Sequence, residues 1–311
     1  MREGFSHILH PYCEALIRIW EGITAMQIIK DYKHDDALRA QLNTLARESF
    51  SLVFEPWYQA GFWDERYIPY SIIEDGVVAA NVSVNHVCVE YEANAYPAVM
   101  IGTVMTAKQY RGRGYARILM EAALEDCKRT AELAYLFAND SVLDFYPKFG
   151  FELAEEKQCF VLCKDALRKA DTVNEQPCRL DISKPHDLAI VERLIQTGIP
   201  APKRLLVPTI RSLVLFYCQS VYRGSVLYYP RRDLLVFYHD GELLDYYSAA
   251  PVELCEVIAL IAPGKEELPL GFTPARPENM TLRYRTYDDN LFVTNPAWFT
   301  GDFMFPSLSR A

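Results

Sequence analysis

Between Val104 and Ala116 the chain reads Val-Met-Thr-Ala-Lys-Gln-Tyr-Arg-Gly-Arg-Gly-Tyr-Ala. An apolar, strand-like run ends in a loop that interleaves Gly112 and Gly114 with Arg111 and Arg113, and a helical pattern follows. Glycines let a backbone approach a ligand closely, the first amides of a helix have no intrahelical partner, and the helix dipole favours negative charge at that end. The expected ligand is therefore a phosphate, with the two arginines adding mobile positive charge at the mouth. Taken alone, the same residues also describe a solvated basic loop. A dinucleotide fingerprint would need its third glycine where Arg117 stands. Gly264-Lys265 is followed by Glu266 and lacks the upstream glycine of a P-loop.

A second segment stands further on: Leu136-Phe137-Ala138-Asn139, then Phe145-Tyr146-x-x-Phe149-Gly150-Phe151. It places an amide side chain at a strand end and a phenol just before a Gly-Phe turn.

The elements that must hold these residues are readable from periodicity. Residues 27–32 and 98–106 read as strands, and so do residues 70–73 and 77–91, joined by Asp75-Gly76, a dipeptide suited to the positive φ angles of a tight hairpin. Residues 35–50 read as a helix with an acidic N-terminus and an apolar face of Leu38, Leu42, Leu45 and Ala46, and an aromatic helix spans 54–62. After Gly114, residues Ala116, Leu119, Met120, Ala123 and Cys127 fall on one helical face. Residues 134–138 form a buried strand, 141–146 a short helix, and Phe151 begins another strand. Residues 164–179 are polar and read as a linker. Beyond it, residues 234–238 and 242–248 make another Asp-Gly hairpin, followed by a helix over 251–262 and a strand over 268–272, an order that echoes the first half.

Composition narrows the classes. The 311 residues are half hydrophobic, enough for sizeable cores in two domains, and disordered or fibrous classes are excluded. The formal charge of −9 argues against nucleic acid and suits cationic small molecules or basic peptides. Eight cysteines without a CxxC pair read as reduced thiols of a cytoplasmic protein, and six scattered histidines predict no metal site. Residues 1–25 carry no uninterrupted apolar run, so no export signal or membrane anchor is expected there. They read either as an amphipathic helix packed on the body or as sequence upstream of a true start at Met26, because Trp20-Glu21-Gly22 fits purine-rich codons resembling a bacterial ribosome-binding site.

Arg111-x-x-Gly114-x-Ala116 matches the Arg/Gln-x-x-Gly-x-Gly/Ala motif of the GNAT acetyltransferase superfamily, and the Asn139 and Tyr146 segment looks like that family's second cofactor segment. The resemblance covers residue 27 to about 163. It implies an α/β GNAT fold over 26–163, a mixed, largely antiparallel central sheet flanked by helices, then the 164–179 linker and a second α+β domain over 180–311, read as a degenerate GNAT-like half. The two-domain layout is similar to bacterial GNAT proteins and, more distantly, to the enhanced-intracellular-survival acetyltransferases.

The resemblance further implies an N-acetyltransferase that moves an acetyl group from acetyl-CoA to a primary amine by direct attack. The backbone of Val104, Met105 and Thr106 would pair with the pantetheine arm, and Arg111, Gly112, Arg113, Gly114, Tyr115, Ala116 and Arg117 would hold the phosphates. Asn139 would meet the cofactor where two parallel strands splay. The Met105 N–H would face the oxyanion, and Tyr146 would donate to the departing thiolate. The terminal carboxylate of Ala311 is the base that the survival-factor likeness suggests, with Glu65, Glu90 and Glu92 as other acids to weigh. Phe54, Trp57, Tyr58, Phe62, Trp63, Tyr67 and Tyr70 read either as an acceptor wall able to hold a cation or as core. No membrane partner is expected, and the second domain would shape the acceptor pocket or the interface of a homo-oligomer. The competing reading is a non-catalytic module that senses acyl-CoA or binds a protein on the same fold.

Overall fold

The computed structural model describes residues 26–92, 94–164, 175–208, 211–275, 280–287 and 289–310. The readings made for residues 1–25, for most of the 164–179 linker and for Ala311 lie outside the described residues. The first half runs β1 (Gln27–Lys30), α1 (Asp36–Phe50), α2 (Glu55–Gln59), β2 (Tyr67–Glu74), β3 (Val77–Tyr91), β4 (Asn94–Thr106), α3 (Tyr115–Cys127), β5 (Leu133–Ala138), β6 (Glu152–Ala154) and β7 (Lys157–Leu162).

Local chemistry accounts for these boundaries. Asp35 caps α1 by accepting from the Ala37 and Leu38 amides at 3.0 Å each, and the helix buries Leu42, Leu45 and Ala46. Asp75 and Gly76 both take positive φ, 55° and 74°, so β2 and β3 meet in a two-residue turn with Glu74 opposite Val77. Helix α3 buries Leu119, Met120, Ala123 and Cys127 on the face its periodicity predicts.

The second half runs β8 (Cys178–Arg179), α4 (Pro185–Thr197), β9 (Ile199–Pro200), β10 (Leu205–Leu206), α5 (Arg211–Gln219), β11 (Val226–Tyr229), β12 (Leu234–His239), β13 (Glu242–Ser248), α6 (Leu254–Ile261), β14 (Glu267–Pro269), β15 (Leu282–Thr286) and β16 (Asn290–Val293). Strands β8, β11, β12, β13 and β9 form a five-stranded antiparallel sheet. An isolated parallel bridge joins Leu243 of β13 to Leu270, just past α6 and β14. The order strand, helix, parallel partner thus repeats that of β4, α3 and β5, in a second α+β unit.

The strand pairing crosses the boundary read at residues 163–180. The large sheet has the order β1-β2-β3-β4-β5-β16-β6, with β10 on β3, so a strand from near the chain end lies between β5 and β6. Strand β7 pairs instead with β14 and β15. One apolar core also spans both halves, where Trp57 of α2 packs on Phe216 of α5 at 5.8 Å and donates its indole N–H to the Ser212 carbonyl. The segment from Phe303 to Leu308 is buried rather than frayed. Among the described residues, no helix is long and apolar enough to cross a membrane.

Candidate active site

Strands β4 and β5 pair in parallel only over Ala98↔Leu133, Val99↔Ala134 and Met100↔Tyr135, yet β4 continues to Thr106 and β5 to Ala138. Beyond Met100 they separate around a cleft of about 720 Å³. The register of β4 on β3 slips between Asn81↔Met105 and Ser83↔Gly102, so Thr103 and Val104 together oppose Val82. A bulge of this kind bends its strand, and Thr103 sits at its centre with a φ of 45°.

The bulge also decides which backbone groups reach the cleft. The Ala107 N–H donates to the Ala79 carbonyl at 2.9 Å. Alternation along the ladder then turns Met105 toward its β3 partner Asn81, and Val104 and Thr106 toward the open edge. The Thr106 carbonyl, on that edge, accepts Arg111 Nε at 3.2 Å. Met105 lines the cleft, but its N–H faces β3 and its side chain is buried. The Met105 N–H expected to face an oxyanion is thus turned away from the open edge, where the Val104 and Thr106 backbone groups lie.

At the end of β4, Gly112 and Gly114 both have a φ of 80°, and a Cβ at either would meet nothing within 4 Å. Backbone conformation, not crowding, demands glycine here, and the space in front is open. The Ile118 N–H donates to the Gly114 carbonyl at 3.1 Å, so the amides of Tyr115, Ala116 and Arg117 precede the first intrahelical bond. Of the loop residues, Arg111 and Ala116 line the cleft. Arg113 does not: its Nη1 donates to Glu74 Oε1 at 2.7 Å, and the Tyr115 hydroxyl donates to Glu74 Oε2 at 2.5 Å. Arg117 pairs with Glu121 one turn along α3 at 2.8 Å.

The opposite wall carries Phe137, Asn139, Ser141, Val142, Phe145 and Tyr146. Residues 141–146 are not a helix; two 3-10 turns, Asp140–Val142 and Tyr146–Phe149, flank the bend, and Gly150 at a φ of 83° closes the second. Tyr146 is buried beside Phe145, Phe151 and Phe292, and burial pushes its phenol up to about 12. It therefore stays protonated as a donor at neutral pH.

Several lining residues carry no sequence signal of their own. Glu48, Ser49 and Phe50, from the C-terminal turn of α1, and Leu52 just beyond it form a third wall. Glu48 is the one carboxylate lining the cleft among the described residues. The acids weighed from the sequence lie elsewhere: Glu65 pairs with Lys33, Glu92 with Arg204, and Glu90 is exposed on β3. The aromatic segment is core. Phe54, Trp57, Phe62, Trp63, Tyr67 and Tyr70 are all buried, and only Tyr58 is half-open, with Arg39 stacked 3.7 Å above its ring.

The tail reaches the back of the cleft. Arg310 donates to Glu156 at 2.8 Å and to Asp289 at 2.7 Å, and its guanidinium lies 4.5 Å over Phe137. A strand edge and an arginine that have no strand or carboxylate partner among the described residues, with an open glycine loop at a helix N-terminus, suit a long, narrow ligand that carries a diphosphate at one end.

Residues 33–154 match the family model described as an acetyltransferase (GNAT) domain. No curated protein matches the chain. In fold the chain is similar to a probable N-acyltransferase from Enterococcus faecalis, at 14% identity over 87% of this chain and 72% of that one, with a TM-score of 0.54. It is similar also to a GCN5-related N-acetyltransferase from Kribbella flavida, at 14% identity over 87% and 71%, with a TM-score of 0.53. A third similar structure is Eis1 from Mycobacterium abscessus, at 16% identity over 86% and 73%, with a TM-score of 0.52. At these identities the likeness speaks for the fold.

Proposed function

With a GNAT acetyltransferase domain over residues 33–154 as the premise, we propose that the protein moves an acetyl group from acetyl-CoA to a primary amine by direct attack. The observation that carries the reading is the β4 edge, which faces the cleft from Ile101 to Thr106 without a strand partner among the described residues and leads through the 107–114 loop to the glycine-capped start of α3. Acetyl-CoA supplies an activated thioester. The Val104 and Thr106 backbone would pair with the pantetheine amides as an added strand does. The amides at the head of α3 and Arg111 would hold the diphosphate. An edge amide, assigned to Val104, would meet the charge that builds on the thioester oxygen. Tyr146 would donate to the departing sulfur. A phenol near 12 is a poor acid toward a thiolate, whose conjugate acid lies near ~8.5, so its part is to hold a hydrogen bond rather than to give up its proton.

The acceptor would meet the thioester within the open cleft itself, where Phe50, Phe137 and Glu48 line the walls. Glu48 is the carboxylate placed to take the amine proton, through water.

The test is thiol release from acetyl-CoA across a panel of amines, in the wild type and in Tyr146→Phe. Turnover with at least one amine, reduced in the variant while acetyl-CoA binding holds, supports transfer. Binding of acetyl-CoA with no turnover for any amine supports a sensor instead.

A further inference from the structure

One buried polar cluster sits directly behind the cleft, and none of its residues has a part in the transfer just described. At its front is Thr103, which lines the cleft at the bulge of β4 with a φ of 45°. That conformation is costly for a β-branched residue and is ordinarily left to glycine. Something must hold it. The Thr103 hydroxyl donates to Ser83 Oγ at 2.7 Å, Ser83 donates to the Tyr67 hydroxyl at 2.8 Å, and Tyr67 returns the bond to Thr103 Oγ1 at 3.1 Å. Asn81 binds the ring from behind: its Nδ2 donates to the Thr103 carbonyl at 3.0 Å and to Ser83 Oγ at 2.9 Å. Its Oδ1 accepts from Ser71 Oγ at 3.0 Å, which in turn accepts from the Tyr32 hydroxyl at 2.6 Å.

A chain of hydroxyls beside an acetyl-transfer cleft suggests two roles, and the connectivity decides between them. A proton relay needs an open path to solvent. Here the three hydroxyls close on themselves, and among the described residues the way onward to Ser71 and Tyr32 passes through the Asn81 amide, which does not hand on protons under these conditions. Asn81, Ser83 and Ser71 are each 0% exposed, so water does not replace a lost partner. The cluster is built to hold a shape.

We propose that Asn81 is a positioning residue for acetyl transfer: by clamping the Thr103 carbonyl and the hydroxyl ring, it keeps the bulge left-handed and so aims the Val104 amide at the open β4 edge. The inference rests on the proposed transfer for its kinetic readout, and the clamp itself is read without turnover.

The test compares Asn81→Ala, Thr103→Val, Thr103→Gly and the Asn81→Ala/Thr103→Gly pair. Asn81→Ala and Thr103→Val should each lower kcat by about 100-fold, the scale of losing one oxyanion donor, while CoA, which keeps its contacts with Thr106, Arg111 and the α3 amides and loses at most one of two strand-edge contacts, weakens by no more than about tenfold. Thr103→Gly should keep most activity, because glycine takes the left-handed conformation unaided. The pair should therefore recover most of what Asn81→Ala loses. Because glycine at a left-handed position also offsets a loss of stability, kcat is compared at a temperature where melting curves show all four variants folded. The backbone 15N and 1H shifts of Val104 supply the readout free of turnover: they should move in Asn81→Ala and return in the pair. Unchanged kcat and unchanged Val104 shifts in Asn81→Ala, or no recovery of either in the pair, overturn the proposal. If Asn81→Ala does not fold, Thr103→Val decides: it keeps the branched side chain, removes the hydroxyl, and leaves kcat intact only if the clamp is irrelevant. A wild type without turnover sinks the transfer reading, and the Val104 shifts still judge the clamp.

Discussion

Arg111 and Arg113 are two residues apart and chemically alike, and the structure gives them different work. Arg111 lines the cleft, with its Nε on the Thr106 carbonyl at 3.2 Å. Arg113 is turned away onto Glu74 at 2.7 Å, a carboxylate whose side chain is only 10% exposed and which also holds the Tyr115 hydroxyl. A charge-assisted hydrogen bond to a ligand phosphate contributes about 1.5–3 kcal/mol, and ~1.4 kcal/mol is tenfold in affinity. Arg111→Gln should therefore weaken acetyl-CoA binding by roughly 10- to 150-fold on that conversion. Arg113→Gln removes a charge screened by solvent and by Glu74, so affinity should change by no more than about twofold, while the melting temperature falls because Glu74 loses a partner. Titration calorimetry of both variants at low and high salt, with melting curves alongside, measures each arm. The Arg111 deficit should shrink as salt rises. Equal loss of affinity in the two variants would refute the assignment.

Further outcomes follow from the same geometry. Because burial raises the Tyr146 phenol to about 12, its proton is retained until pH approaches that value. Any rise of kcat with pH between about 7 and 10, above the range where carboxylates titrate, then belongs to the acceptor amine, and should keep its midpoint in Tyr146→Phe; a midpoint that moves in the variant contradicts this. Arg310→Met leaves Glu156, whose side chain is 0% exposed, with the Phe305 amide as its side chain's remaining partner among the described residues. The loss should be about 3–5 kcal/mol, read by denaturant unfolding, and a change under about 1 kcal/mol would show the pair to be dispensable. A fragment of residues 26–163 lacks β16 between β5 and β6 and both partners of β7. It should show no cooperative melting transition, and a sharp one would mean that the first half is an independent unit.

What could be read from the sequence was local. Asp75-Gly76 and Asp240-Gly241 each set a two-residue hairpin because both positions need positive φ, and α3 showed its buried face through simple periodicity. Gly112, Gly114, Asn139 and Tyr146 stood out because a loop at a helix head and a strand end have recognisable residue chemistry. The misses are non-local or conformational. Nothing in Asn290–Val293 states that this short strand belongs between β5 and β6. The pairing of Arg113 with Glu74 joins residues far apart in sequence. Helix α6 begins at Leu254 rather than Pro251 because Glu253 and Glu256 form a reciprocal cap. Composition alone could not tell a buried aromatic cluster at Phe54–Tyr70 from an acceptor wall, and no residue preference marks Thr103, which is held left-handed by its neighbours rather than by its own type.

The central claim is that the cleft between β4 and β5 holds acetyl-CoA with its diphosphate at the head of α3. It is tested most directly by isothermal titration of acetyl-CoA into the purified wild type and into Gly114→Asp, which puts a strained, negatively charged residue at that helix start. The account predicts saturable one-site binding to the wild type and none to the variant, with both proteins folded by circular dichroism. A folded wild type that does not bind, or a Gly114→Asp variant that binds as tightly, would contradict it.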